Sequence, residues 1–162
     1  MSEPEEKAPE DEWPSMVRAY DFVLPSYQWL LSRCEAADNR LSALLTVVTT
    51  AMFAFPVLAR SIRPNAVLDT PVFFVGVGLL VLASVIGIWA RIYGKLNLAD
   101  PAFLFGATHE TDFEFRKNAV FFAGKHLGLN RDVVAVKHKA AAVMSGLLLL
   151  GTVVLVRWLS LA

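Results

Sequence analysis

The chain has 162 residues, 56% of them hydrophobic, and 15 basic side chains balance 15 acidic ones. A mean hydropathy of +0.50 and a pI near 6.8 make it too apolar for a soluble domain of this size, and it lacks the basic surplus of a duplex nucleic-acid binder. A lipid bilayer is therefore the expected partner and nucleic acid is not, while a lone cysteine, Cys34, rules out an internal disulfide.

Residues 1–16 read as a disordered acidic tail, since six of the fifteen acids fall in the first 13 residues beside Pro4 and Pro9. The tail has the wrong charge for a cleavable signal peptide, and the first apolar run starts too far along the chain, so no removal is expected. Residues 17–40 read as a cytosolic helical segment. Pro25-Ser26 looks like a helix start, and apolar residues then recur at Tyr27, Leu30, Leu31, Cys34, Ala37, Leu41, Leu44 and Leu45. Asp38 points the way this stripe points. A carboxylate there, one turn before an apolar run, wants a cation, Arg91, Lys137 or Lys139 at matching depth elsewhere, unless it pairs with Arg33 or Arg40 on its own helix or sits in headgroup water.

Leu41 to Ala59 is charge-free for nineteen residues and Pro71 to Ala90 for twenty, each about 30 Å of helix, enough to cross a hydrocarbon core. They form a transmembrane hairpin over residues 41–90, turning at Pro64-Asn65, with Pro71 starting the second helix. Residues 91–139 read as a cytosolic helical region. After an irregular piece broken by Asp100-Pro101 and Gly106, Thr111 caps a helix with Asp112 and Glu114 in its first turn and Phe115, Ala119 and Phe122 on one edge. Gly128 is expected to close it, and Asn130 to cap a further helix that runs into the third span, residues 140–162, whose charge-free core is Ala140 to Val156. The fold class expected is an all-α membrane protein with three transmembrane helices, the first and third prolonged as cytosolic helices.

Lys and Arg number four before Leu41 and eight from Arg91 to Lys139, against three elsewhere, Arg60, Arg63 and Arg157. By the positive-inside rule the N-terminus and residues 91–139 are cytoplasmic and the C-terminus periplasmic. Phe53, Phe55, Phe73 and Phe74 mark one interface; Trp89 and Tyr93 mark the other. Within the spans, Ser42, Thr46, Thr49 and Thr50 form a hydroxyl stripe, and Ala83/Gly87, Ala141/Ser145 and Ala142/Gly146 are small-residue pairs that suit helix contacts within a protomer or a homo-oligomer.

Catalytic chemistry is not expected. His109, His126 and His138 are isolated, zinc spacing and a G-x-S-x-G are missing, and the charge-free cores of the spans hold no ionisable group. Arg116, Lys117, Lys125 and Arg131, with Phe121 or Phe122 for stacking, are the candidates for holding a small anion on the cytosolic side, although positive-inside bias also explains them. Neither a cofactor nor a metal is called for.

A charged helix ending in Asp38-Asn39-Arg40 leads into a first span and hairpin, and a helix with Asn130 and Lys137 in Asn-x(6)-Lys spacing leads into the last span. From Tyr27 to the C-terminus this layout resembles the small membrane effectors of Pycsar anti-phage systems, with Arg40 where their pattern has lysine. The resemblance implies a bacterial inner-membrane protein that answers a cyclic nucleotide, cCMP or cUMP, from a partner nucleotide cyclase by impairing the membrane in abortive infection. A non-catalytic membrane anchor or adaptor for a cytosolic protein is the alternative.

Overall fold

The computed structural model describes residues 13–62, 70–94, 96 and 111–161. The acidic stretch before Trp13, the Pro64-Asn65 turn and the Asp100-Pro101 and Gly106 breaks lie outside the described residues. Three α-helices follow one another: α1 Met16–Ile62, α2 Pro71–Ile92 and α3 Asp112–Leu161. All three are long and apolar enough to cross a membrane, and each contains one of the expected spans. The protein is all-α, and among the described residues there is no strand.

Two expected boundaries are absent. The first helix starts at Met16 and runs through Pro25-Ser26. Ser26 does not cap; its hydroxyl donates to the Phe22 carbonyl one turn back at 2.8 Å, the bond a serine makes inside a helix. Likewise α3 passes through Gly128 and Asn130 without a break, because Asn130 is fully buried and its side chain is spent on Tyr27 rather than on a helix end. Other start signals hold. Thr111 Oγ1 accepts the Glu114 N–H at 3.3 Å, and Pro71 occupies the first turn of α2 after Thr70.

The chain divides into two compact units, Met1–Arg33 with Lys95–Asp132 and Cys34–Gly94 with Val133–Ala162. In the first, Tyr27 meets Phe122 edge to face at 6.5 Å and Phe122 lies 4.5 Å from His126, and Leu30, Ala123 and Asn130 are buried. In the second, Leu41, Ala90, Ala140, Ala141 and Met144 pack at one level and Val48, Leu80, Ala83 and Leu155 at another. Buried positions recur every seventh residue: Tyr27, Cys34, Leu41 and Val48 on α1, and Ala123, Asn130, Lys137, Met144, Gly151 and Trp158 on α3. That is the period of a helix that packs along one stripe, the seam within each unit.

Small residues let the spans come close. A Cβ on Gly76 would fall 2.6 Å from Leu155 Cγ, and one on Gly87 would fall 2.5 Å from the Met144 methyl. At the far end of α2, Gly94 takes φ 73°, a left-handed conformation natural to glycine, where Val133 leaves no room for a side chain. Only 11%, 22% and 28% of the most apolar window of α1, α2 and α3 is buried by the protein itself. Phe53, Phe74, Ile88, Leu149 and Val153 are among the large apolar side chains left exposed, and water would not tolerate a surface of that extent. The spans need lipid.

Candidate functional site

Helical periodicity places Cys34, Asp38 and Leu41 on adjoining positions of one face of α1. Cys34 is 1% exposed and Leu41 fully buried, so the carboxylate between them is brought against α3. There Lys137 occupies a seam position, in register with Asn130 seven residues before and Met144 seven after. Its Nζ donates to both carboxylate oxygens of Asp38, at 2.7 Å to Oδ1 and 2.9 Å to Oδ2. The lysine side chain is 5% exposed and the aspartate 36%, so the cation is the desolvated member and depends on its partner. Each residue stands three positions before its charge-free run, about 4.5 Å of helix rise from the start of the apolar span.

Burial raises the Cys34 thiol above its ordinary range, with the Lys137 charge pulling it down and the Asp38 charge pushing it up. The cysteine is therefore a protonated packing group beside the pair. Ser42 Oγ donates to the Asp38 carbonyl at 2.9 Å, and His138 Nε2, next to Lys137 in sequence, is buried without a hydrogen-bond partner.

Of the cations that Asp38 could have met, only Lys137 reaches it. Arg33 lies over the Trp29 ring at 4.6 Å; Arg40, Arg91 and Lys139 are exposed and make no ion pair among the described residues. The anion candidates do not converge. Arg116 bonds Asp112 at 2.7 Å and lies 5.9 Å from the Tyr20 ring, whereas Lys117 pairs with Glu114 at 3.4 Å. Lys125 and Arg131 are exposed, and at 3.6 residues per turn Lys125 is about half a turn around α3 from Arg116. Phe121 is 70% exposed and open to stacking, but Phe122 is taken up by Tyr27 and His126.

Asn130 is the functional candidate that sequence reasoning placed wrongly, as a cap. Its hydrogen bond to the Tyr27 hydroxyl lowers that group's pKa, but desolvation by burial outweighs it and the phenol is raised overall. The signal was there: Asn130 and Lys137 share a seven-residue period, so a face that buries one buries the other. Among the described residues these two are the buried polar or charged side chains.

No protein-family model matches the chain, and no match is found among characterised proteins or solved structures. Among the described residues no group of three or more His, Cys, Asp or Glu side chains is placed to hold a metal ion.

Proposed function

We propose that this protein is a non-catalytic effector of the bacterial inner membrane, activated by a cyclic pyrimidine nucleotide, cCMP or cUMP, made by a partner cyclase. Activation impairs the membrane and ends the infected cell before phage is released. The N-terminus and residues 91–139 face the cytoplasm and the C-terminus the periplasm, the arrangement favoured by the Lys and Arg distribution. The active form is a homo-oligomer, in which the hydroxyl stripe of α1 and the exposed Ala142/Gly146 pair of α3 supply contacts between copies.

One observation carries this reading. Three of the polar positions behind the resemblance are bonded within the protein, Asp38 to Lys137 and Asn130 to Tyr27, while Arg40 is exposed. Helices α1 and α3 both continue unbroken from these positions into their apolar spans. A ligand that favours one packing of the cytosolic portions thereby biases the spans, provided it binds the two states differently. Moving the population from about 1:99 to 99:1 takes about 5.5 kcal/mol of differential binding, shared among the subunits of an oligomer.

Purified protein in dye-loaded liposomes tests the proposal. Leakage is expected on adding cCMP or cUMP, and liposomes that stay sealed with both would contradict it. A second reading, an anchor or adaptor for a cytosolic protein, draws on Phe22, Trp29 and Phe121, which are 74%, 59% and 70% exposed in the portion assigned to water. Co-expression with an active cyclase separates the two, since an effector depolarises the cell and an anchor does not.

A further inference from the structure

The chain just before α1 and the first turns of α1 and α3 flank a half-open cleft of about 370 Å³, whose lining includes Trp13, Met16, Val17, Asp112, Phe113 and Arg116. This volume lies in the range of small-molecule sites, roughly 300–1,000 Å³. Its walls are mixed polar and apolar, with two aromatic side chains, Trp13 and Phe113, one cation, Arg116, and one carboxylate, Asp112. Trp13 is 54% exposed, so its indole face is available to a flat ring. Arg116 is the only one of the four anion candidates that lines the cleft.

The cation is held by a weak bond. Arg116 pairs with Asp112 at 2.7 Å within one helix, and that carboxylate is 74% exposed; exposed pairs of this kind contribute little. Exchanging the carboxylate for a ligand anion of equal charge therefore costs little, and a guanidinium can bind a phosphate oxygen pair through a two-bond fork. The cleft also adjoins the N-terminus of α3, where the helix dipole favours negative charge.

We propose that this cleft binds a small monoanion carrying a flat ring, with Trp13 stacked on the ring and Arg116 released from Asp112 to the charged end. The wall chemistry sets that class. The choice of cCMP and cUMP within it rests on the proposed function, since each joins a pyrimidine to a singly charged cyclic phosphodiester.

Calorimetric titration of cCMP into the full chain in lipid nanodiscs tests the assignment. Wild type is expected to bind, Arg116→Gln to weaken binding at least tenfold, and Trp13→Ala to weaken it about tenfold. Trp13 precedes the first helix, so its loss leaves the helices intact. Asp112→Asn removes the competing carboxylate and tightens binding, an effect that a purely structural Asp112 would not produce, while Lys125→Gln leaves it unchanged. If wild type binds cCMP and both Arg116→Gln and Trp13→Ala bind equally well, the cleft is not the site, and the proposed function survives. If wild type binds neither cCMP nor cUMP, the cleft assignment and direct activation by the nucleotide fall together.

Discussion

Lys137 and Asp38 share one ion pair but do not run equal risks. Removing the aspartate strands an ammonium that is 5% exposed, whereas removing the lysine leaves a carboxylate still 36% exposed and able to keep some water. Breaking a buried pair costs about 3–5 kcal/mol because the remaining charge is left uncompensated, a cost that shrinks when that charge can still reach water. Asp38→Ala should therefore destabilise by about 3 kcal/mol and Lys137→Met by no more than about 1, measured as loss of helicity on denaturant titration in micelles. Equal losses from both would mean that the pair is not asymmetrically buried. Tyr27 gives a sign in pH. Its folded pKa is raised, so its contribution to stability is complete below the ordinary tyrosine range and disappears as pH rises through the folded value. Melting temperature should accordingly fall more steeply above pH 10 in wild type than in Tyr27→Phe. The Cys34 thiol, raised by burial, should react with iodoacetamide at pH 8 far more slowly than a free cysteine, and denaturant should abolish the difference.

At the scale of the helices, burial separates the glycines into two kinds. A side chain on Gly87 would run into Met144 and Leu45, while one on Gly146 or Gly78 meets nothing within 4 Å. Gly87→Leu is thus expected to cost about 1–3 kcal/mol of stability in detergent through overpacking, and Gly146→Leu to leave the monomer's stability unchanged. If Gly146→Leu nevertheless abolishes cross-linking between copies, its small-residue face is the oligomer contact. Much of the helical organisation was legible in the sequence, because charge-free runs of span length and the Thr111 and Pro71 start signals are local physics. The missed breaks were local signals overruled by distant ones. Ser26 and Asn130 look like caps only while their neighbours are unknown, and the helix continues once Asn130 finds Tyr27 across the packed helices. The same logic governs the site. Asp38 was visibly out of place on an apolar stripe, but five cations within reach in sequence could not be ranked without knowing that Lys137 falls on the seam.

For the whole molecule, the large apolar share of the surface and the three span-length helices fix a membrane as the solvent. The Lys and Arg asymmetry then predicts the topology. In a Cys34→Ala background, a cysteine placed at Glu3 should be blocked only after a membrane-permeant reagent is used, and one at Ala162 should react with an impermeant reagent from outside whole cells. The reverse pattern would invert the arrangement and put the Trp13 and Arg116 cleft on the wrong side for a cytosolic ligand.

The claim that Asp38 and Lys137 clasp α1 to α3 at the edge of their apolar runs is tested most directly by a double-mutant cycle. Asp38→Ala, Lys137→Met and the double variant would be unfolded in the same micelles. An interaction energy of about 2 kcal/mol is predicted, in the range for groups in direct contact. A value within about 0.5 kcal/mol of zero, the additivity of independent sites, would contradict the contact and the coupling built on it.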